Sequence, residues 1–237
     1  MQIKIVKDRS EGKDFAKNLL YKVCDKDTVL FLSGGSTPKE LYQVLAKEKK
    51  LNLGAAALVD ERFKQETKNK KQKSEVLTNE DMIKDTGLAQ FFKKNKIPFY
   101  TILEKKGLIE SSKDYQDKAS KLFNAYRNKV AIMGIGDDGH TAGIPTRKQK
   151  SENKNQNFRE DLVDRYTDFP GEFKERITLT FNALSQMDLL IVLVFGSSKL
   201  VALMKMKEKG PLYEIPARFY LSSLSVNKTI LITDNKL

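Results

Sequence analysis

The sequence predicts an α/β fold in which a mostly parallel β-sheet is flanked by helices. Two observations lead to this prediction. Short apolar runs rich in β-branched residues recur along the chain, and stretches with the spacing of amphipathic helices separate them. Strands that alternate with helices in this way are typical of layered folds with a parallel sheet, in which ligands bind outside the carboxyl ends of the strands.

Several apolar runs are candidate strands. They span residues 3–6, 28–32, 56–59, 98–103, 130–135, 189–195 and 229–233. The spacing of apolar residues predicts helices around residues 15–23, 41–45, 115–123 and 200–204. Because no internal repeat or linker divides the chain, we expect one domain over residues 1–237 with a three-layer, modified Rossmann-like architecture.

Two further segments, 62–75 and 142–175, are predicted to be loops. The first is almost wholly polar, and the second combines glycines and prolines with many charged residues. Each follows the end of a candidate strand. We therefore expect each segment to border a binding site.

Composition excludes several classes of protein. Of the 237 residues, 40% are hydrophobic and 31% are charged, as in ordinary globular proteins. The longest clear apolar run, 189–195, is far shorter than the roughly 20 residues of a membrane-spanning helix, so we expect no membrane association. The first residues contain no apolar core of signal-peptide length, and Cys24 is the only cysteine, so we expect a cytoplasmic protein.

The formal net charge is +12, and a strongly basic chain is a candidate for nucleic-acid binding. Much of the excess lies in the polar runs 64–73, 93–96 and 147–154, and the first and third contain no aromatic residues on which bases could stack. We therefore predict solvated lysine-rich loops and no nucleic-acid partner. A basic surface would still attract an anionic substrate and speed its arrival.

The turn after the strand at 28–32 has the properties of an anion-binding cradle. It consists of Ser33, Gly34, Gly35, Ser36 and Thr37. We predict Thr37 as the helix N-cap, with Pro38 in the first helical position and Glu40 completing a capping box. Glycines allow a ligand to approach the main chain, and the free N–H groups of a helix start favour an anion. The pattern indicates a single phosphate monoester, although a plain strand–turn–helix connection would also explain it.

Three charged residues, Asp60, Glu61 and Arg62, directly follow the strand at 56–59. Three adjacent charges at a strand end cannot all be buried without partners, so they belong at a surface or in a cleft. Taken alone, the three charges are better explained by the start of a solvated loop. Their position at the carboxyl edge of the sheet favours a functional role.

The stretch "MGIGDDGHT" at 133–141 holds the only histidine, His140. Its glycines fit a dinucleotide-binding spacing, but Asp137 and Asp138 would repel a pyrophosphate, and Pro145 follows too early for the helix that such a site needs. Histidine suits acid–base catalysis near neutral pH, and Asp138 is placed to orient it. A single histidine and scattered acids lack the spacing of metal ligands, so we predict a catalytic His140 and no metal.

Five motifs together resemble the glucosamine-6-phosphate isomerase/6-phosphogluconolactonase family. They are "SGGSTP" (33–38), "VDER" (59–62), "GIGDDGHTA" (134–142), "ERITLT" (175–180) and "FGSSK" (195–199). Arg62 after the acidic pair and Thr141 after His140 resemble the lactonases of the family more than its deaminases. The chain departs from the usual lactonase pattern at 143–146, which reads "GIPT" instead of "SLFP", and at Ser74–Glu75, where a serine–asparagine pair is usual.

This resemblance implies hydrolysis of 6-phosphogluconolactone to 6-phosphogluconate, a step of the oxidative pentose phosphate pathway. It implies a phosphate site formed by the 33–37 turn, with Arg176 and Lys199 as cationic clamps. His140 would activate water and Arg62 would stabilise the oxyanion. Asp138 would hold the imidazole, while Asp60 and Glu61 would support Arg62 or bind sugar hydroxyls. No cofactor is expected, and the chain is expected to be a monomer or a weak homo-oligomer.

Three alternatives stay open at this point. The first is a deaminase-type sugar-phosphate isomerase, which ammonia release from glucosamine 6-phosphate would identify. The second is a non-catalytic sugar-phosphate sensor that retains the cradle, for which the departures at 143–146 leave room. The third is a nucleic-acid binder, which the net charge of +12 motivates and which would show salt-dependent affinity.

Overall fold

A seven-stranded, fully parallel sheet forms the centre of the fold. The computed structural model describes residues 1–63, 78–105, 107–148 and 160–236. Within these ranges the strands of this sheet are β1 (Gln2–Ile5), β2 (Thr28–Leu32), β3 (Ala55–Leu58), β5 (Phe99–Tyr100), β6 (Asn128–Gly134), β9 (Leu189–Val194) and β10 (Thr229–Thr233). Their order across the sheet is β1-β10-β9-β6-β2-β3-β5. The predicted mostly parallel sheet is confirmed, and β2, β3 and most of β9 are buried, as expected of strands covered on both faces.

Helices alternate with these strands and flank the sheet. They are α1 (Arg9–Val23), α2 (Ser36–Glu48), α3 (Asn79–Asp85), α4 (Leu88–Lys94), α5 (Leu108–Ala125), α6 (Phe181–Ser185) and α7 (Leu200–Lys207). The helical spacing predicted α1, α2, α5 and α7, whereas the short helices α3, α4 and α6 were not predicted. A helix of five to seven residues presents too few apolar positions for a periodic pattern to be recognised. None of the helices in the described ranges has the length and apolar character needed to cross a membrane.

A second, antiparallel sheet was not predicted at all. It contains β4 (Asp60–Arg62), β8 (Arg176–Leu179) and β7 (Val163–Tyr166), in that order. The prediction that 142–175 is all loop is therefore wrong, because β7 lies within it. These strands are three or four residues long, and β4 and β7 are rich in charges, so they lack the length and the apolar alternation from which strands are recognised.

Other boundaries differ from the predictions in smaller ways. The candidate strand at 98–103 pairs with β3 only through Phe99 and Tyr100. The candidate strands at 28–32 and 229–233 have the predicted bounds. The lysine-rich run 64–73 and the pair Ser74–Glu75 lie outside the described residues, as does most of the run 147–154.

The topology brings four segments to one edge of the sheet. Strands β9, β6, β2 and β3 are consecutive neighbours, so their carboxyl ends lie side by side. After them come, respectively, a short 3₁₀ turn (Ser197–Lys199), the loop 135–140, the turn 33–35 and strand β4. These segments contain the candidate site residues, and in parallel sheets ligands bind at this edge.

Candidate active site

A cavity of about 270 Å³ opens at this edge of the sheet. Ten of the predicted site residues line it: Ser33, Gly34, Gly35, Ser36, Thr37, Asp60, Arg62, His140, Arg176 and Lys199. Asp138 and Glu61 do not line it and are treated below. Three sequentially distant groups thus meet in one cavity: the turn after β2, the histidine loop after β6 and the antiparallel pair β4–β8.

The turn after β2 differs from its predicted capping. Helix α2 begins at Ser36 with Gly35 as the N-cap, and no side chain caps it. The predicted N-cap Thr37 and its capping box are therefore wrong, and Glu40 instead forms an ion pair with Arg9 at 3.3 Å. Gly35 adopts φ 98°, which lets the chain enter the helix earlier than a non-glycine residue would.

This turn presents donors that have no partners among the described residues. The first N–H groups of α2 lack side-chain caps, and the partial positive charge of the helix start lies at the cavity. The Ser33 hydroxyl is buried and has no hydrogen-bond partner among the described residues. The Tyr42 hydroxyl donates to the Ser33 carbonyl at 2.9 Å and fixes the turn from below. Such a site is suited to an anion.

The histidine loop places His140 against Asp138. His140 Nδ1 lies 2.5 Å from Asp138 Oδ1, which also accepts the His140 backbone N–H at 3.1 Å. The Thr146 hydroxyl donates to the other oxygen of Asp138 at 3.2 Å. Burial raises the pKa of Asp138, but the hydrogen bonds from His140 and Thr146 outweigh it and lower this pKa to about 2. Asp138 is thus an anion that holds Nδ1 and leaves Nε2 available to a ligand.

The glycines of this loop leave room for the His140 ring and allow the tight turn that carries it. Gly136 donates to the His140 carbonyl at 2.9 Å, which closes a tight turn. A Cβ on Gly136 would lie 2.1 Å from the imidazole ring, so only glycine leaves room for the ring. Gly139 adopts φ 94°, a conformation that favours glycine. The rejected dinucleotide spacing therefore has a local explanation, and the described residues that directly follow this turn, 141–148, contain no helix.

The antiparallel pair of β4 and β8 supplies the charged side chains. Its register places Asp60 opposite Thr178 and Arg62 opposite Arg176. Because side chains alternate along a strand, Asp60 and Arg62 lie on the face of the pair that lines the cavity. The Gly143 N–H donates to Thr178 Oγ1 at 3.0 Å, so the chain just after the histidine loop packs directly on this pair.

Buried charges dominate this face. Burial raises the pKa of the Asp60 carboxyl, while the positive charges of Arg176 and Arg62 oppose this shift. Burial also lowers the pKa of Arg176, and the charge of Asp60 opposes it. Among the described residues, Arg176 Nε is buried without a hydrogen-bond partner. The guanidinium of Arg176 therefore has donor capacity that an anionic ligand would use.

Glu61 has different partners from those predicted. It occupies the alternate position of β4, so its side chain points away from the cavity. Its carboxylate accepts the backbone N–H groups of Asn79 and Glu80 at 2.8 Å and of Arg62 at 2.7 Å. Glu61 thus fastens the start of α3 to β4, and it also holds the backbone N–H of Arg62. Burial raises its pKa to about 7, against the opposing effect of these three N–H groups.

Lys199 lines the cavity from the far side, after β9. Its Nζ donates to the Ile135 carbonyl at 2.8 Å and forms an ion pair with Asp137 Oδ1 at 2.9 Å. Asp137 is largely exposed, so this ion pair is weak and open to competition from a stronger anion. A ligand phosphate would have to compete with Asp137 for Lys199.

Two residues that line the cavity, Asn79 and Phe169, lie outside the motifs quoted from the sequence. Asn79 Nδ2 donates to the Asp60 carbonyl at 2.8 Å, and its side chain fills the space where a Cβ on Gly34 would lie. Phe169 comes from the segment predicted to be loop. Its ring lies between His140 and Arg176. Asn79 follows Thr78, and this hydroxyl–asparagine pair is similar to the serine–asparagine pair that is usual in the lactonase pattern, whereas Phe169 belongs to no quoted motif. The described residues contain no group of three or more His, Cys, Asp or Glu that could hold a metal ion.

Comparison with known proteins establishes the family. The family described as "Glucosamine-6-phosphate isomerases/6-phosphogluconolactonase" matches residues 12–230, which is most of the chain. The chain belongs to this family. A 6-phosphogluconolactonase from Rhizobium meliloti (strain 1021) is 27% identical over 194 residues, covering 81% of this chain and 78% of the relative. A probable 6-phosphogluconolactonase from Dictyostelium discoideum is 28% identical over 212 residues, covering 83% and 82%.

A solved structure has the same fold. The 6-phosphogluconolactonase from Plasmodium vivax superimposes with a TM-score of 0.76 at 20% identity, covering 99% of this chain and 91% of that chain. This likeness confirms the predicted α/β architecture. The family resemblance predicted from the five motifs is confirmed by the family match.

Proposed function

We propose that this protein hydrolyses 6-phosphogluconolactone to 6-phosphogluconate, with His140 as the general base. One observation carries the proposal: in a chain of this family, the Asp138–His140 pair and an anion-binding cradle face the same small cavity. The two relatives named above bear the name of this activity, one of them as probable. No cofactor is required, because a lactone is an activated ester.

The phosphate group of the substrate would bind first to the residues that do not react. The N–H groups at the start of α2 and the Ser33 hydroxyl offer neutral donors. Arg176 and Lys199 add charge-assisted hydrogen bonds from the opposite sides of the cavity. Fixing the phosphate in this way places the lactone ring at the remaining part of the cavity, beside His140, and makes the reaction effectively intramolecular.

The imidazole of His140 would then move the protons. Since Asp138 accepts from Nδ1–H, the Nε2 lone pair takes a proton from water as the water oxygen attacks the lactone carbonyl carbon. The carbonyl oxygen becomes an oxyanion, for which the Arg62 guanidinium is the proposed stabilising group. As the tetrahedral intermediate collapses, the bond from the carbonyl carbon to the ring oxygen breaks. The ring oxygen receives the proton from Nε2, and the hydroxy acid is the product.

Removing His140 tests this assignment. A coupled assay would follow lactone opening above the spontaneous background for the wild type and for His140→Ala. We expect kcat to fall by roughly 10²- to 10⁴-fold, which is the usual contribution of a positioned general base. Near-normal kcat in His140→Ala would contradict the role of the histidine. A wild-type protein that releases ammonia from glucosamine 6-phosphate instead would assign it to the deaminase branch.

A further inference from the structure

Phe169 is buried, but its surroundings are unlike those of the other buried aromatic residues. Only 6% of its surface is exposed, yet it is not part of the main hydrophobic core. Its nearest aromatic partner is the His140 imidazole, at 5.1 Å between ring centroids and an interplanar angle of 79°. The Arg176 guanidinium carbon lies over the ring, 4.4 Å from its centroid. The ring therefore contacts two polar groups of the candidate site.

The loop that carries Phe169 is held in place from both sides. It joins β7 to β8, and the Phe169 N–H donates to the Lys174 carbonyl at 3.0 Å across the loop. The neighbouring Asp168 forms an ion pair with Arg147 at 2.6 Å. Because the hydrogen bond from its own N–H restrains the backbone at Phe169, the ring can act as a fixed surface.

We propose that Phe169 is a positioning residue that holds the His140 imidazole and the Arg176 guanidinium in a single arrangement. The inference rests on the proposed function, in which His140 acts on the lactone and Arg176 binds the phosphate. Asp138 fixes one nitrogen of the imidazole, and the Phe169 ring restrains its rotation. The face of the same ring attracts the guanidinium and directs its N–H groups along the cavity wall. One ring thereby sets the relative position of the reacting end and the phosphate end of the site.

The test compares Phe169→Leu, Phe169→Tyr and Phe173→Leu. Leucine keeps apolar volume but removes the ring, whereas tyrosine keeps the ring. Phe173 is the matched control, because it lies on the same loop and its ring faces Arg62 at 5.5 Å instead of His140. For Phe169→Leu we expect kcat to fall on the order of 10- to 100-fold, as small misplacements of a reacting group do. We expect KM to rise about threefold from the lost cation–π contact. Phe169→Tyr should restore both.

Two readouts do not depend on lactonase activity. His140 is the only histidine, so its ring signals in an NMR spectrum are unambiguous. We expect the downfield Nδ1–H signal to broaden in Phe169→Leu and to stay unchanged in Phe173→Leu. Calorimetry with inorganic phosphate should show affinity about threefold weaker for Phe169→Leu than for the wild type.

The outcomes separate this inference from the proposed function. An unchanged Nδ1–H signal and unchanged phosphate affinity in Phe169→Leu would overturn the positioning role, whatever the enzyme's activity. Equal broadening in Phe173→Leu would also overturn it, because the effect would then belong to the loop as a whole. A wild-type protein without lactonase activity would contradict the proposed function, while the NMR and calorimetric comparisons would still decide the role of Phe169.

Discussion

Two walls of the cavity are built in opposite ways. The cradle, residues 33–37, is one continuous segment whose donors are backbone N–H groups and small hydroxyls. The ribbon, β4 paired with β8, joins two distant segments and presents the charged side chains of Asp60, Arg62 and Arg176. The cradle is hydrogen-bonded from below through Tyr42, whereas the ribbon carries buried charges.

This difference determines which substitutions impair each wall. A backbone donor survives most side-chain replacements, so the cradle is harmed chiefly by added atoms or by a changed backbone conformation. A buried charged side chain has no substitute, so the ribbon is harmed by truncation. Asn79 lies between the two walls, because its side chain packs on Gly34 and donates to the Asp60 carbonyl. The following predictions test this contrast, in order of decreasing effect.

The ribbon should be the more sensitive wall for substrate binding. We expect Arg176→Met to raise KM by roughly 30-fold or more, since truncating one member of a buried charge pair costs about 2–5 kcal/mol. The cradle counterpart Ser36→Ala keeps its N–H and should change KM by no more than about threefold. Steady-state kinetics on both variants measures the contrast, and kcat should change less than KM because phosphate contacts persist into the transition state. Equal KM values in the two variants would contradict it.

Glu61 lies on the face of the ribbon that points away from the cavity. We expect its titration to make the free energy of unfolding depend on pH. Its pKa is raised from 4.5 to about 7 in the folded protein. The folded state therefore binds more protons than the unfolded state between these values, and this group lowers the free energy of unfolding as the pH rises through the interval.

The variant Glu61→Gln isolates this contribution. It loses hydrogen bonds to the start of α3 and is expected to be less stable than the wild type at acidic pH. Because glutamine does not titrate, the stability gap should narrow by at most roughly 3 kcal/mol between about pH 5 and pH 7. Urea unfolding of both proteins at several pH values measures the gap. A gap that is constant over this interval would mean that Glu61 does not titrate there.

Asn79 contacts Gly34 but not Gly35, so we expect alanine substitutions at these two glycines to destabilise the protein for different reasons. A Cβ on Gly34 would lie 1.8 Å from Asn79 Oδ1, whereas a Cβ on Gly35 meets nothing within 4 Å. Gly34→Ala should displace Asn79, break its bond to Asp60 and destabilise the protein by about 1–3 kcal/mol. Gly35→Ala should cost about 1–3 kcal/mol through its backbone conformation alone, because φ 98° with ψ 169° is a region that is essentially restricted to glycine.

A double-mutant cycle checks the role of Asn79 in this difference. In an Asn79→Ala background, the clash partner of Gly34 is gone, so Gly34→Ala should cost less than it does in the wild type. Gly35→Ala should cost the same in both backgrounds. Chemical denaturation of the four variants gives these energies. If the losses of unfolding free energy caused by Gly34→Ala and Asn79→Ala were purely additive, Asn79 would not be the connection between cradle and ribbon.

Features confined to a few neighbouring residues could be predicted from the sequence. The end of β2, the glycine turn and the start of α2 follow one another directly, and Asp138 lies two residues from His140, so local geometry brings each group together. The exception is the cap of α2. Thr37 and Glu40 fit a capping box, but the positive φ of Gly35 starts the helix two residues too early for it.

Features that depend on distant pairing could not be predicted in this way. The acidic pair at 60–61 reads as two similar carboxylates, but pairing with β8 turns Asp60 toward the cavity and Glu61 toward α3. The direction of each side chain follows from strand alternation, which exists only once the strand has a partner. The roles of Asn79 and Phe169 also depend on distant residues, because they come from the residues that these side chains contact.

By itself, the sequence determined the alternation of strands and helices, the glycine turn before α2 and the aspartate–histidine pair, because hydrophobic periodicity and short-range geometry are local properties. Only the tertiary structure decided which acidic residue faces the cavity, that Arg62 and Arg176 lie opposite each other, and that Phe169 contacts both His140 and Arg176. These contacts join residues far apart in the chain, and their free energy appears only when the complete sheet edge is assembled.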